Sequence, residues 1–384
     1  MNLKESPFPS LLVFGRVLVK ALLVAAVINV VLLAAGANPV RRLVQLNTFD
    51  LVGRARPRLA YPTDFQNGQL PVEALLRAHA LSEPAAEGEY RVILLGDSAI
   101  AGWGVPDDET LAAELTDLGI RVGAGRVVAY NLAYPQPSAA RDLIILDAAL
   151  RYEPDLVVWF VTPASLNNAP DEAGQNRVFY TLNGGRLARL AETHDDLLGG
   201  WMQANAAALR PDEPAWQPYT AIRDQDLLPV WLNSLFYPFV EPGLAPSDRR
   251  VGLEEVPPQA RYTSEHPGYR EMPNDAWRFL EAGCREARAG GAELLVVNQP
   301  IAVGEGSGSA VNYNLMYERA LYDRYREALA WYADFHGLWY ADLWDAIPSG
   351  RFTDTPTHMD ALGYKMFAAE MQNVLAAGGG STCR

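Results

Sequence analysis

The sequence has few of the residues from which disulfide frameworks and metal sites are built. Only two cysteines occur, Cys284 and Cys383, and they lie far apart with no CxxC spacing. The five histidines are scattered and show no HExxH-type spacing. We therefore predict no disulfide framework, no structural zinc site and no other metal or cofactor from the sequence.

Positive charge and glycine-rich phosphate motifs are also scarce. Lys and Arg number 32 against 46 Asp and Glu, which gives a net charge of −14. A phosphate backbone attracts Lys and Arg, so this balance argues against nucleic acid as a partner. Gly96, Gly102 and Gly104 do not form a GxGxxG motif, which argues against dinucleotide binding. With 384 residues and 49% apolar content, the chain is long enough to bury a sizeable core.

One long apolar run is present near the N-terminus. Residues 11–36 are apolar apart from a few polar and charged positions, and about 20 such residues span a bilayer core. We predict a transmembrane anchor over residues 1–37, followed by a stalk or linker over residues 38–88. A cleaved signal peptide also fits, because small residues follow the run at 34–37. Basic residues flank the run on both sides, so its orientation stays open.

Strand and helix patterns alternate from residue 89 to residue 384. Five short apolar runs end in turn residues, and most are followed by helical periodicity: residues 91–98, 126–135, 154–163, 292–300 and 338–344. This order predicts an α/β domain with a parallel sheet. A long insertion at about 168–272 follows the third run, and its length predicts a lid or subdomain over the strand ends. Its aromatic residues are predicted to pack a small core: Trp201, Trp216, Trp231, Phe236, Tyr237 and Phe239.

A serine follows the first predicted strand directly, in Gly96-Asp97-Ser98. Ligands of open parallel sheets bind outside the carboxyl ends of the strands, so this serine lies at the edge where chemistry is expected. The amides at the start of the following helix also favour an anion. Ser98 is equally suited to be the N-cap of that helix, and the tripeptide alone fits both roles.

An aspartate and a histidine share one loop before the last predicted helix, within residues 352–364. A serine hydroxyl is a poor nucleophile until a base removes its proton, and the base needs a carboxylate to fix its tautomer. His358 and Asp354 supply both groups. Asp360 immediately precedes the helix and is predicted to be its N-cap, whereas Glu370 lies inside the helix and is predicted to be solvated.

These blocks resemble the SGNH hydrolase superfamily over residues 91–377: a strand ending in GDS, an Asn-bearing turn after the second strand, and a D…H loop before the final helix. The resemblance implies a flavodoxin-like three-layer α/β/α fold. It also implies that Ser98 is the nucleophile and a backbone oxyanion donor, with His358 as base and Asp354 as its orienting carboxylate.

The chain departs from the family pattern in three places. Ala133 stands where the family usually has the glycine of the oxyanion hole, and its N–H is the second predicted donor. The family's Gly-x-Asn-Asp block is missing, and Asn167, or failing it Thr162, is predicted to replace its asparagine. Asp354 precedes His358 by four residues, whereas the family spacing is three.

The N-terminal span, the insertion and the FTD…H ending are also similar to SGNH-like proteins that modify cell-envelope polymers. Those include the alginate acetylation proteins and the D-alanylation protein of teichoic acids. The resemblance implies a single-pass protein of the cell membrane with an extracytoplasmic catalytic domain. Its implied substrates are acyl esters, such as O-acetyl groups, on an envelope polysaccharide or a related polymer, or a small ester.

Two questions of function stay open at the level of sequence. An esterase and an O-acyltransferase use all the same residues, so both remain possible. A membrane-anchored envelope scaffold that keeps the fold without catalysis is the other interpretation. The missing third block favours the scaffold, and the presence of Ser98 and His358 opposes it.

Overall fold

The computed structural model describes residues 11–34, 47–59, 70–166, 175–209, 274–306 and 308–383. Within these ranges the strands are β1 Glu89–Leu95, β2 Arg121–Val122, β3 Gly125–Asn131, β4 Leu156–Val161, β5 Glu293–Asn298 and β6 Trp339–Asp342. The α-helices are α1 Leu11–Ala34, α2 Thr48–Val52, α3 Val72–Arg77, α4 Ser98–Ala101, α5 Leu111–Asp117, α6 Ala139–Ala149, α7 Gln175–Thr193, α8 Asp195–Leu209, α9 Asn274–Ala289, α10 Arg319–His336 and α11 Ala361–Ala377.

The six strands form one sheet in the order β2-β3-β1-β4-β5-β6. All neighbouring pairs are parallel except β2 and β3, which form a short antiparallel hairpin at one edge. The five parallel strands are the five that the sequence predicts, and their spatial order is 2-1-3-4-5, the flavodoxin-like arrangement. The sequence did not predict β2, because two residues are too few to show a period.

Both faces of the sheet are covered, because the side chains of each strand alternate between two separate cores. On β4, Val157 and Trp159 belong to one core, and Val158 and Phe160 belong to the other. Residues of α3, α6, α7, α8, α9 and α10 join the first core, and residues of α4, α5 and α11 join the second. This is the predicted three-layer α/β/α architecture, and it explains why β4 reads as a continuous apolar run.

The segment before β1 is part of this domain, in contrast to the stalk predicted for residues 38–88. Its apolar side chains are fully buried in the first core: Leu59, Leu70, Val72, Leu75, Leu76 and Leu81. The backbone N–H of Leu59 also donates to the carbonyl of Asn131 at the carboxyl end of β3, over 3.0 Å. Residue 59 and residues 70–81 of the predicted stalk thus contribute to the core of the domain.

The described part of the insertion joins a helix layer. Trp201 on α8 packs edge-on against Phe279 of α9, with ring centroids 5.1 Å apart. On the same surface Nε2 of His194 lies 2.7 Å from Oε1 of Glu286. These helices thus extend the helix layer on one face of the sheet. The other aromatic residues of the predicted small core lie outside the described residues: Trp216, Trp231, Phe236, Tyr237 and Phe239.

A helix does form where the sequence predicts the anchor, from Leu11 to Ala34, although several of its side chains lie outside the described residues. In the part of the chain that the structure describes, no helix was found with the length and apolar character needed to cross a membrane. The structure therefore gives no support to the predicted transmembrane helix.

The two cysteines form a disulfide, which the sequence analysis did not predict. Cys284 lies on α9 and Cys383 in the tail after α11, and their Cα atoms are 5.7 Å apart. The tail reaches this position because the N–H of Thr382 donates to the carbonyl of Gly337 over 2.7 Å. The bond closes a loop across 99 positions of the chain and ties the tail to the helix layer.

Replacing Cys383 by serine is expected to lower the free energy of unfolding by about 2–5 kcal/mol, because the unfolded chain regains the entropy that the closed loop had removed. Urea unfolding of Cys383→Ser and of the unchanged protein, with and without a reductant, measures the effect. The reduced protein should unfold like the variant. An unfolding midpoint that does not respond to the reductant, together with free thiols in the native protein, would rule out the bond.

Candidate active site

Ser98 lies at the carboxyl end of β1, where the sequence places it, and it is the first residue of α4. The N-cap of this helix is Asp97, whose Oδ1 accepts a hydrogen bond from the N–H of Ala99 over 2.9 Å. The alternative role predicted for Ser98, as the cap, is thus taken by its neighbour. The hydroxyl of Ser98 is left available for another partner.

The loop before α11 holds His358 in a fixed position. The N–H of Thr353 donates to the carbonyl of His358 over 2.8 Å, and the N–H of His358 donates to Oγ1 of Thr355 over 3.1 Å. The carbonyl of Pro356 accepts from the N–H of Ala302, which follows β5, over 2.7 Å. The backbone of the loop is therefore anchored both internally and to the segment that follows β5.

The structure brings the three predicted side chains together. Nε2 of His358 lies 2.8 Å from Oγ of Ser98, and Nδ1 of His358 lies 2.9 Å from Oδ1 of Asp354. Both distances are within the range for hydrogen bonds between a nucleophile, its base and the orienting group. One extra residue separates Asp354 from His358, and Thr355 takes the position at which the family has its aspartate. The hydroxyl of Thr355 accepts a hydrogen bond from the N–H of His358, and this local turn accommodates the longer spacing.

The carboxylate of Asp354 is kept ionised by its partner. The hydrogen bond from His358 lowers the pKa of Asp354 below its usual value, and this outweighs the opposite effect of partial burial. The hydroxyl of Thr353 donates a second hydrogen bond to Oδ1 over 3.2 Å. An ionised carboxylate fixes the imidazole with its proton on Nδ1, so that Nε2 faces the serine as an acceptor.

The two competing carboxylates have other partners. Oδ1 of Asp360 accepts from the N–H of Gly363 over 2.8 Å, as an N-cap does, and Oδ2 lies 3.4 Å from Arg351. Glu370 lies within α11, and its Oε2 accepts from Asn373 over 3.4 Å. Neither side chain contacts His358 in these bonds, whereas Oδ1 of Asp354 lies 2.9 Å from Nδ1 of His358.

The predicted oxyanion donors are only partly in place. No hydrogen bond is formed by the N–H of Ser98 among the described residues, so it remains available. The N–H of Ala133 is buried and donates to Oδ1 of Asn131 over 3.2 Å, so it is not the free donor that the sequence predicts. Asn167 lies outside the described residues. Thr162, the predicted substitute for Asn167, is buried, and its hydroxyl lies 3.3 Å from Oγ of Ser165.

Three residues that the sequence analysis did not assign complete the surroundings of the site. The indole of Trp103 is stacked on the imidazole of His358, with centroids 6.0 Å apart and planes 23° from parallel. Nε2 of Gln299 donates to the carboxylate of Asp97 over 3.2 Å. The hydroxyl of Tyr364 donates to the carbonyl of Ala99. Of these three residues, only Gln299 could have been assigned to the site from the sequence. It directly follows β5, which places it at the same carboxyl edge of the sheet as Ser98.

Comparison with known proteins gives matches among solved structures only: no family model and no curated protein matches the chain. A psychrotrophic esterase from Pseudoalteromonas sp. is 11% identical, covers 75% of this chain and 98% of its own, and has a TM-score of 0.38. A carbohydrate acetylesterase from Sinorhizobium meliloti is 11% identical, covers 75% and 99%, and has a TM-score of 0.35. A GDSL-like lipase from Bacteroides thetaiotaomicron is 10% identical, covers 77% and 93%, and has a TM-score of 0.35.

The chain is similar to GDSL-like esterases. The TM-scores are below 0.5, so these neighbours do not indicate the function. We therefore infer the function from the geometry of Ser98, His358 and Asp354.

Proposed function

We propose that the protein is a serine hydrolase of acyl esters. The observation that carries the proposal is the continuous hydrogen-bonded chain from Oγ of Ser98 through the imidazole of His358 to the carboxylate of Asp354, at 2.8 Å and 2.9 Å. This is the arrangement that activates a serine, and it lies at the sheet edge where ligands of such folds bind.

The reaction proceeds in two halves. Oγ of Ser98 attacks the ester carbonyl carbon while Nε2 of His358 takes its proton, and the oxyanion forms beside the free N–H of Ser98. The intermediate collapses, the alcohol leaves with the proton from His358, and an acyl-serine remains. Water then attacks the acyl-serine with His358 again as base, which releases the carboxylic acid and restores the hydroxyl.

The finer identity of the substrate rests on the resemblance to envelope-modifying proteins. We infer O-acyl groups, such as O-acetyl groups, on a cell-envelope polysaccharide or related polymer. If a sugar hydroxyl replaces water in the second half, the same residues perform acyl transfer. The disulfide between Cys284 and Cys383 supports an extracytoplasmic location, because such bonds persist mainly in oxidising compartments. Attachment to the cell membrane remains a prediction of the sequence.

A non-catalytic scaffold is the second candidate, and one observation favours it. The N–H of Ala133 is engaged by Asn131, which leaves the Ser98 N–H as the one predicted oxyanion donor found free among the described residues. Against the scaffold stands the formed triad. A protein without catalysis has no need to hold Ser98 and His358 within hydrogen-bond distance.

A fluorophosphonate probe distinguishes the two candidates. An active serine hydrolase is expected to form a covalent adduct on Ser98, which mass spectrometry locates, and hydrolysis of a small acetyl ester should fall in proportion to labelling. Ser98→Ala should not be labelled. Labelling that persists in this variant, or its absence from the unchanged protein at high probe concentration, would contradict the proposed function. Assaying the same protein with an added sugar acceptor separates transfer from hydrolysis.

A further inference from the structure

The helix that carries Ser98 is too short to be stable without help. α4 spans four residues, whereas isolated helices shorter than about 12 residues are marginal in water. Gly102 ends the helix with a φ of 79°, a backbone conformation that favours glycine. The carbonyls at the carboxyl end of such a helix have no partners within it and need others.

The N–H of Gly102 donates to the carbonyl of Ala99 over 3.2 Å, and side chains from distant parts of the chain supply further partners. Tyr364 on α11 donates to the carbonyl of Ala99, and Nδ2 of Asn131 at the end of β3 donates to that of Ile100 over 3.1 Å. The carbonyl of Ala101 accepts from Nη1 of Arg58 over 3.1 Å. Arg58 belongs to the segment before β1 and reaches α4 across 43 positions of the chain.

Arg58 bonds the loop that follows α4 as well as the end of the helix. Nη1 also donates to the carbonyl of Gly102 over 2.8 Å, and Nη2 donates to that of Val105 over 2.6 Å. Nε lies 2.6 Å from Oδ1 of Asp107. The Arg58 side chain is only 1% exposed, and a planar guanidinium can bond several fixed acceptors at once. A cation at the carboxyl end of a helix is also favoured by the helix dipole.

The carbonyls that Arg58 bonds flank both groups of the reaction. Ala101 and Gly102 end the helix that begins with Ser98. Gly102 and Val105 bracket Trp103, whose indole is stacked on the imidazole of His358. We propose that Arg58 is a positioning residue that holds Ser98 and His358 in register through this loop. The inference rests on the proposed function and adds to it a requirement for the segment before β1.

Arg91 provides a matched control at the opposite end of β1. Its guanidinium is also buried and also bonds three carbonyls and one carboxylate: Leu81 at 3.2 Å, Tyr152 at 3.1 Å, Glu83 at 2.6 Å and Glu89 at 2.9 Å. Its loss should therefore destabilise the fold in a similar way. Because these acceptors lie at the amino end of the strand, the geometry of the triad should not change.

The test compares the reaction rates of Arg58→Met and Arg91→Met at one temperature, at which circular dichroism shows both variants to be folded. Misplacement of a catalytic group by about 1 Å commonly costs about 10²-fold in rate. We expect Arg58→Met to lower both kcat and the rate of fluorophosphonate labelling of Ser98 by about 10²-fold, with KM changed less than about threefold. Arg91→Met should keep both rates within about threefold of the unchanged protein, although it melts earlier.

The pair Arg58→Lys and Arg91→Lys decides the question if a methionine variant does not fold. Lysine keeps the buried positive charge but cannot donate to the three carbonyls in the fixed geometry of a guanidinium. Labelling of Arg58→Lys should therefore be about tenfold slower than labelling of Arg91→Lys. Equal labelling rates within the pair would overturn the proposal. The failure of the proposed function looks different, because the unchanged protein itself would then not be labelled on Ser98.

Discussion

Replacing Ser98 by alanine is expected to lower the kcat of ester hydrolysis by about 10⁶-fold, because loss of the nucleophile from a serine triad leaves only substrate binding and the oxyanion donors to act. Among the described residues the side chain of Ser98 bonds only to Nε2 of His358, and Asp97 rather than Ser98 caps α4. The fold should therefore survive the change. Steady-state hydrolysis of a soluble acetyl ester measures the effect.

A serine remote from the site serves as the control for this variant. Ser82 donates to the carbonyls of Arg77 and His79 near the amino end of β1, and Ser82→Ala should retain full turnover. Both variants should melt within a few degrees of the unchanged protein. If Ser98→Ala retained turnover within tenfold of the unchanged protein, the hydrolysis would have to come from another residue, and the triad would lose its role.

Replacing Asp354 by asparagine is expected to lower kcat by about 10⁴-fold. Asparagine is nearly the same size as aspartate, but its amide N–H₂ facing Nδ1 of His358 favours the tautomer that carries its proton on Nε2. That nitrogen can then no longer accept the proton of Ser98. The hydrogen bond that lowers the pKa of Asp354 shows how closely the carboxylate and the imidazole are coupled in the native protein.

Asp360→Ala is the comparison that makes this result specific. Asp360 caps α11 through the N–H of Gly363, so its loss should lower the free energy of unfolding by about 1 kcal/mol and leave kcat nearly unchanged. Melting and turnover should be measured for both variants: Asp354→Asn should lose turnover and keep its stability, whereas Asp360→Ala should lose stability and keep its turnover. Turnover lost with Asp360→Ala and kept with Asp354→Asn would move the third position of the triad to Asp360.

The parts of this architecture that were predictable are those encoded locally. The central strands β1, β4 and β5 are largely continuous apolar runs, because both faces of the sheet are covered by helices there. That pattern places Gly96-Asp97-Ser98 at the functional edge without any knowledge of the fold. The loop from Asp354 to His358 is also local, so the two side chains could be assigned to one site from spacing and chemistry alone.

The parts that were missed depend on contacts between distant residues. Whether the Ala133 N–H is free depends on the direction of the Asn131 side chain, which a sequence does not specify. The disulfide depends on the Cα atoms of Cys284 and Cys383 being 5.7 Å apart, and two cysteines 99 positions apart give no sign of that. Arg58 lies outside every motif, in a segment whose buried positions are too few to show a period.

The triad joins two residues that are synthesised at very different times. Ser98 and His358 are 260 positions apart in the chain, yet their side chains form one hydrogen bond. At about 5–20 residues per second, the base leaves the ribosome roughly 13–50 s after the nucleophile. Throughout that interval Ser98 has no base to take its proton. The growing chain therefore cannot acylate itself on any ester that it meets. Activity begins only after the last strand has joined the sheet beside β5 and the loop that carries His358 has reached the carboxyl end of β1.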